Sequence, residues 1–241
     1  MDLIPDGFST ILTAAVIVVL IVGIGIMFSR LYTRATKELT FVRTGMGGEK
    51  VIMDGGALVF PVLHEIIQVN MNTLRLDVRR EAQKSLITKD KLRVDVQAEF
   101  YVRVGKTAES IANAATTLGS KTTRPEELAR LIEGKFVDAL RSVAASMEMA
   151  ELHEQRKQFV SSVQAAVQAD LKQNGLELES VSLTGLDQTA REYFNENNAF
   201  DAEGLTKLTQ EIEGRRKARN QIEQDTRVEI ERKRTEADKL A

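Results

Sequence analysis

Cysteine and histidine, two side chains that often perform catalysis or bind metals, are absent or scarce in this sequence. It has no cysteine, which excludes disulfides, thiolate catalysis and cysteine metal sites and fits a reducing compartment. Its two histidines, His64 and His153, stand apart from each other and lack the spacing of a metal-ligand pair. Acidic pairs such as Glu126–Glu127 fall on predicted helix surfaces, where carboxylates are normally solvated. We therefore predict no catalytic, metal-binding or cofactor-binding residue, and a protein that is not an enzyme.

The glycine-rich stretches do not have the pattern of a phosphate-binding loop. Gly45, Gly47 and Gly48, and then Gly55–Gly56, join predicted strands to one another. P-loops and dinucleotide sites instead open a helix and have different glycine spacing. The basic residues of the C-terminal part alternate with acidic ones, so they form no stripe that could follow a phosphate backbone. We expect no nucleic-acid partner.

An uncharged stretch of 21 residues runs from Phe8 to Phe28. As an α-helix it would extend for about 31 Å, which matches the hydrocarbon core of a bilayer. A cleaved signal peptide is the alternative, but the stretch is too long, no A-x-A site follows it, and acidic residues precede it in place of basic ones. We predict a retained transmembrane helix over residues 8–28. The predicted anchor residues are Phe8, Ile17, Leu20, Ile24 and Phe28.

Basic residues follow the apolar stretch but do not precede it. Arg30, Arg34, Lys37 and Arg43 come directly after it, whereas residues 1–7 contain no lysine or arginine. The positive-inside rule therefore places the N-terminus outside, as a short external tail over residues 1–7, and the rest of the chain in the cytoplasm. The lipid bilayer is thus the first predicted partner.

Residues 38–104 show the two-residue period of β-strands. Apolar and polar residues alternate from Leu92 to Val104, which predicts a half-buried strand. Leu39–Thr44 and Lys50–Asp54 flank the glycines at 45–48 and predict a hairpin. A further strand begins at Ile67, but its apolar phase shifts by one near Asn72–Thr73, which predicts a bulge or bend.

The apolar run Ala57–Leu63 lies close in sequence to the predicted anchor and contains Pro61. One interpretation is an edge strand or irregular segment that packs into the domain core. The other is a second membrane contact, in which apolar side chains enter the inner leaflet. Both interpretations remain open at this point. The residues of the second are Leu58, Phe60 and Leu63.

Residues 105–190 are predicted to be mainly helical. Apolar residues recur every three or four positions from Pro125 to Met147, and again from Leu152 to Leu171. Gly175 occupies the position expected after the C-terminus of the second helix. Leu176–Leu183 then predicts a returning strand. Strands, two helices and a returning strand indicate an α+β domain on a small sheet.

Residues 199–241 predict one long charged helix. From Glu211 to Lys239, 17 of 29 residues are charged, and opposite charges recur at a spacing of four, which stabilises helices. A coiled-coil-like apolar seam is interrupted by Arg215 and Arg219. The predicted seam residues are Leu205, Leu208, Ile212 and Ile222. The helix is either solvated and single or packs laterally against identical helices. We favour the second, and expect it to continue beyond Ala241 because no cap ends the pattern.

Four segments together resemble the SPFH (band 7) domain of flotillins. They are FVRTGMGGEKVIMDGGALVFPVLHEIIQVNMNTLRLDV, ITKDKLRVDVQAEFYVRV, GLELESVSLTGLDQ and NNAFDAEGLTKLTQ. The resemblance covers nearly the whole chain and is to the flotillins of the bacterial inner membrane. It implies a two-part SPFH domain, β-rich over 38–104 and α/β over 105–190, followed by a coiled coil. It also implies large homo-oligomeric rings or cages that organise membrane microdomains, or rafts, and membrane fluidity, and a small NfeD-like membrane partner.

The leading functional hypothesis is therefore a membrane-anchored scaffold built from many copies of this chain. The alternative is a regulatory binding module that holds a membrane protease or channel, as stomatin-like and prohibitin-like proteins do. A membrane-bound enzyme would need a cluster of polar groups in a pocket, and the sequence offers no candidate for one.

Overall fold

A computed structural model describes residues 6–240 of the chain, with side chains over residues 12–236. The predicted external tail therefore lies outside the described residues over positions 1–5. Six helices and nine strands are present in the described range, and the predicted α+β class is confirmed. In chain order they are α1 (Asp6–Leu31), β1 (Tyr32–Arg34), β2 (Leu39–Gly45), β3 (Lys50–Ile52), β4 (Gly56–Leu58), β5 (His64–Asn70), β6 (Leu74–Arg80), β7 (Leu86–Ile87), β8 (Arg93–Val104), α2 (Ala108–Thr117), α3 (Pro125–Ser146), α4 (Met149–Glu154), α5 (Arg156–Gln173), β9 (Leu176–Gln188) and α6 (Ala199–Leu240).

The chain forms two compact units, each made of three separate segments. Unit 1 comprises Met1–Leu76, Phe100–Lys135 and Ala165–Ser180. Unit 2 comprises Asp77–Glu99, Phe136–Gln164 and Val181–Ala241. The elements follow the predicted order, with strands before residue 104 and mainly helices from there to residue 175. Both units nevertheless take segments from either side of residue 104, because β6, β8, α3, α5 and β9 each have one part in either unit.

Helix α1 contains the predicted membrane segment. Its window Leu12–Leu31 has a mean hydropathy of 2.7 and is 0% buried, and in the described chain this one helix has the length and composition to cross a membrane. The helix ends at Leu31, three residues beyond the predicted limit, and the chain then enters β1 directly. An apolar helix with no protein cover is the form that a lipid-solvated segment takes, because all its backbone groups bond within the helix.

Two small sheets follow in unit 1. β1 pairs with β4 in antiparallel fashion, with Tyr32 opposite Leu58. A second sheet has the order β3-β2-β5, and Arg43 lies opposite Lys50 across the predicted hairpin, which is thereby confirmed. A compact core holds these strands together, since each buried large apolar side chain contributes about 1.5–3 kcal/mol. The core residues are Phe41, Ile52 and Val59, with Ala35, Ala57 and Ile66 around them.

The predicted bulge or bend near Asn72–Thr73 is a complete break between strands. β5 ends at Asn70 and belongs to the β3-β2-β5 sheet, whereas β6 begins at Leu74 and pairs with β8. Between them the Asn70 side chain accepts a hydrogen bond from the backbone N–H of Asn72 at 2.9 Å, which closes a local turn. The apolar phase shifts because β5 and β6 belong to different sheets.

The largest sheet is built around β8, which pairs with β6, β7 and β9. Side chains along β8 alternate strictly between buried and half-buried, as its sequence predicts. The predicted apolar face is buried from end to end. Its members are Leu92, Val94, Val96, Ala98, Phe100, Val102 and Val104, none more than 3% exposed.

The helical predictions are confirmed with one correction. α3 spans Pro125–Ser146, with Ile132 and Phe136 fully buried. The segment from Leu152 to Leu171, predicted as one helix, is divided between α4 and α5 at Gln155, whose φ of −115° and ψ of 44° are not helical. Gly175 has the left-handed φ of +68° that the end of α5 requires, and a Cβ there would lie 2.0 Å from the carbonyl oxygen of Ser110. β9 then runs to Gln188, five residues further than predicted.

Candidate membrane-facing and assembly surfaces

The end of α1 is joined directly to the turn that follows β4. The N–H of Val59 donates to the carbonyl of Leu31, the last residue of α1, at 2.8 Å. Tyr32, the next residue, lies opposite Leu58 in the β1–β4 pair. Because these contacts are between backbone groups, the segment 59–63 is fixed beside the end of the apolar helix. If α1 crosses a bilayer, this turn lies at the edge of the bilayer from which the chain continues.

Four exposed apolar side chains form what we call the membrane-proximal patch, namely Met46, Leu58, Val62 and Leu63. Their exposures are 69%, 38%, 96% and 49%. The N–H of Met46 donates to the carbonyl of Leu63 at 3.1 Å, so the two turns that carry the patch are in contact. Of the predicted leaflet residues, Leu58 and Leu63 belong to the patch, whereas Phe60 is half-buried. Met46 and Val62 were not predicted. Met46 lies in a turn between two glycines, and Val62 lies in a turn directly after Pro61.

His64 connects the same two turns through both ring nitrogens. Its Nδ1 lies 3.2 Å from the backbone N of Phe60, and its Nε2 lies 3.0 Å from the carbonyl oxygen of Met46. A backbone N–H can only donate, so Nδ1 is the acceptor, and Nε2 carries the proton and donates to Met46. The ring therefore bridges the two turns that carry the patch, which gives this histidine a structural role.

Three arginines belong to the helix and strands that adjoin the turns of the patch. Nη1 of Arg43 donates to the carbonyl of Leu58 at 3.1 Å, while its buried Nε has no hydrogen-bond partner among the described residues. Arg30 and Arg34 flank the junction between α1 and β1. Cations at the end of an apolar helix, next to exposed apolar side chains, are the arrangement expected at the headgroup level of a membrane.

In unit 2, the first turns of α6 are held by a buried ion pair. Nε of Arg93 donates to Oδ1 of Asp201 at 2.7 Å, and Nη2 donates to Oδ2 at 2.8 Å. The two side chains are 12% and 1% exposed. The N–H of Asn195 also donates to Oδ2, at 3.0 Å, and Nη1 of Arg93 donates to the hydroxyl of Ser85 at 3.2 Å. We call these four residues the α6 clamp.

The α6 clamp keeps Asp201 ionised. The hydrogen bonds from the Arg93 guanidinium lower the pKa of this carboxyl below its ordinary value, and they outweigh the opposing effect of burial. The N–H of Asn195 lowers the pKa further. This pair was not predicted, because by sequence Arg93 is one polar position on a strand and Asp201 is one charge among many on a helix.

The segment just before Arg93 makes further contacts with α6. The ammonium of Lys91 lies 5.1 Å from the ring centre of Phe200, and Nζ of Lys207 lies 3.6 Å from Oδ2 of Asp90. Gly204 permits close approach, since a Cβ there would lie 2.2 Å from the carbonyl oxygen of Lys91. Residues 90–93 therefore form a seat for the first turns of α6.

Beyond this seat α6 is exposed. Leu205 and Leu208 are 8% and 9% exposed, so these two predicted seam residues are covered by their own chain. Ile212 and Ile222, the other two, are 53% and 65% exposed. Apart from Phe200, which is 54% exposed and lies against the ammonium of Lys91, the exposed large apolar side chains that the structure describes on α6 are those beyond Leu208. They are Ile212, Ile222, Val228 and Ile230.

The anchor residues are equally uncovered. Ile17, Leu20, Ile24 and Phe28 are between 46% and 59% exposed. Phe8 belongs to α1, but its side chain lies outside the described residues. Within the described chain, no group of three or more histidine, aspartate or glutamate residues is placed to hold a metal ion. The surfaces that the structure offers are thus one apolar helix, one apolar patch with cations, and one long charged helix.

These features define an α+β domain of the SPFH type, preceded by an apolar helix. The model described as SPFH domain / Band 7 family matches residues 33–237, and the chain belongs to this family. It is 56% identical over 236 residues to the flotillin family inner membrane protein YqiK of Escherichia coli (strain K12). It is 31% identical over 239 residues to the flotillin family inner membrane protein sll1021 of Synechocystis sp. (strain ATCC 27184 / PCC 6803 / Kazusa).

These matches confirm the resemblance to flotillins. Each covers 98% of this chain, but 43% of the length of YqiK and 35% of the length of sll1021. The chain thus spans less than half the length of either relative.

Proposed function

We propose that this protein is a membrane-anchored scaffold of the flotillin type, which assembles into large homo-oligomers on the cytoplasmic face of the bacterial inner membrane. The observation that carries the proposal is the presence of two uncovered elements in one chain. α1 exposes an apolar surface of transmembrane length, and α6 exposes apolar side chains along a helix of 42 residues. Both relatives bear the name of inner membrane proteins, which supports the location.

Anchoring supplies the condition for assembly. Chains held by α1 diffuse in two dimensions with a common orientation, so identical surfaces meet repeatedly in the same geometry. Contacts between different faces of neighbouring copies produce a closed ring when the repeated rotation per subunit closes on itself, and an open filament when it does not. Such a ring or cage would enclose a bilayer region, and this is how we propose that the protein organises microdomains and fluidity.

The exposed part of α6 is the proposed contact between copies. Its isoleucine and valine side chains are separated by ion pairs along the helix, such as Glu229–Lys233 at 2.9 Å and Arg232–Glu236 at 3.5 Å. Apolar positions framed by charges of both signs are typical of helices that pack against each other in register. Isolated surface ion pairs are worth little, at about 0.2–1 kcal/mol, so the apolar positions dominate the expected affinity.

The mass of the intact chain in mild detergent or lipid nanodiscs tests the proposal. We expect a discrete particle of many subunits for the wild type and a shift to small species for Ile222→Glu, which places a charge at an exposed apolar position. Gln221→Glu adds the same charge at the neighbouring exposed position and serves as the matched control. A monomeric wild type at micromolar concentration would refute the proposal, and equal effects of the two substitutions would refute the role of Ile222.

A further inference from the structure

A carboxylate without solvent exposure is unusual in the first turn of a helix that is otherwise exposed. Asp201 is 0% exposed, whereas every described side chain of α6 after Leu208 is exposed. Burying a charge is costly unless its partners are placed accurately. The attachment of α6 therefore depends on a small set of residues at its beginning.

The length of α6 makes the angle of this attachment important. From Leu208 to Leu240 the helix rises by about 48 Å, at about 1.5 Å per residue. A tilt of about 10° at the seat would move the far end by roughly 8 Å, on that same rise. Helices that pack together have axes about 8–10 Å apart. A tilt of this size would therefore move the far end of α6 by about one helix-to-helix spacing.

The α6 clamp is suited to fix direction as well as attachment. Burial of Leu205 and Leu208 is apolar and tolerates rotation, because the hydrophobic effect has no preferred direction. The guanidinium of Arg93 instead donates from two nitrogens to the two oxygens of Asp201, and a bidentate pair of this kind specifies orientation. Arg93 is itself fixed, since it begins β8 and also bonds Ser85.

We propose that Arg93 and Asp201 are positioning residues for assembly, which set the direction in which α6 leaves unit 2 and thereby the size of the oligomer. This inference rests on the proposed scaffold function. It assigns to the ion pair a role in the geometry of the particle, in addition to any contribution to folding.

The test measures helix direction and particle size separately. The sequence has no cysteine, so spin labels can be placed on Ser142→Cys in α3 and Gln221→Cys in α6, two exposed positions of the same unit. The labelled full chain is diluted with unlabelled chain so that distances within one copy dominate. Asp201→Asn keeps the size of the side chain but removes its charge. Arg93→Lys keeps the charge but removes the planar fork.

We expect a narrow distance distribution in the wild type and at least a twofold broader one in both variants, together with a spread of particle masses. Glu177→Gln is the control, because it breaks the Arg103–Glu177 pair, at 2.5 Å in unit 1, and leaves the α6 clamp intact. Its distribution and particle mass should equal those of the wild type. Hydrogen exchange along β8 shows that each variant is folded.

Unchanged distances in both variants would overturn the inference, and so would broader distances with an unchanged particle mass. If Asp201→Asn fails to fold, Arg93→Lys decides alone. A wild type that remains monomeric would refute the scaffold proposal and with it the role in assembly, whereas the distances would still show whether the pair sets the direction of α6.

Discussion

At the scale of single residues, the roles of Asp201 and His64 follow from the hydrogen bonds that each makes and not from residue type alone. Asp201 is the one charged residue among the buried side chains that the structure describes, and its two oxygens accept hydrogen bonds from three donors, Nε and Nη2 of Arg93 and the N–H of Asn195. His64 has no ligand set, yet both its nitrogens are used to join two backbone turns. Neither residue belongs to a catalytic pattern. His64 joins the two turns of the membrane-proximal patch, and Asp201 holds the beginning of α6.

The ion pair of Asp201 predicts a specific pH dependence of stability. Because the folded-state pKa of this carboxyl is lowered, its contribution is fully present above the ordinary aspartate pKa of about 3.9 and is lost as the pH falls through the folded-state value. The difference in free energy of unfolding between the wild type and Asp201→Asn should therefore be constant from about pH 8 to 5, and should shrink below about pH 4. Chemical denaturation of the detergent-solubilised chain at each pH measures it.

Glu177→Gln provides the comparison, since Glu177 is substantially exposed and its pairing is screened by solvent. A difference for Asp201→Asn that grows, or stays constant, below the ordinary aspartate pKa would contradict the assignment of a lowered pKa.

At the scale of elements, the sequence predicts what local periodicity encodes. β8 and α3 were predicted nearly residue by residue, because alternation and a spacing of three to four appear directly in the order of residues. The break at Gln155 was not predicted, since the apolar face of α4 continues in phase into α5. Leu205 and Leu208 fit a seam on α6 by spacing, and only the folded unit shows that they are covered.

Contacts between distant residues were the part that the sequence could not give. Arg93 and Asp201 are separated by 108 positions, and no motif links a strand residue to a helix residue at that distance. The membrane-proximal patch was half predicted: Leu58 and Leu63 lie in an apolar run, whereas Met46 joins them only because two turns are hydrogen-bonded together. Periodicity in the sequence shows which residues share a face of a strand or helix. Only the tertiary structure shows which of those faces remain exposed.

The turn at residues 59–63 carries a prediction of its own. Val62 is 96% exposed beside the end of α1, so an environment-sensitive fluorophore on Val62→Cys should report an apolar environment in proteoliposomes. We expect strong quenching by lipids brominated near the headgroup, and weak quenching for the same fluorophore on Lys172→Cys, an exposed position of α5. Equal quenching at the two positions would rule out a leaflet contact and leave the patch as ordinary protein surface.

At the scale of the whole molecule, orientation follows from charge. The cations that follow α1 predict an N-terminus outside the cell, so a membrane-impermeant maleimide should label Asp2→Cys in intact spheroplasts. Lys172→Cys should react only after the cells are broken. Labelling of Lys172→Cys in intact spheroplasts, with protection of Asp2→Cys, would mean the reverse orientation and would place the SPFH domain on the wrong side of the membrane for the proposed scaffold.

Salt distinguishes the two kinds of surface that the proposed scaffold combines. Membrane retention through α1 depends on apolar burial, which 1 M salt does not weaken, so a wash at that concentration should leave the protein in the membrane pellet. Contacts along α6 involve exposed charges of both signs, and the Debye length falls from about 10 Å at 0.1 M to about 3 Å at 1 M salt. If ion pairs between copies hold the detergent-solubilised particle together, it should lose subunits as the salt concentration rises. If the apolar side chains form the contact, the particle should keep its mass. These side chains are Ile212, Ile222, Val228 and Ile230. Because single surface ion pairs are weak, we expect the mass to fall by less than half. Complete dissociation would show that charge, and not the apolar positions, assembles the copies.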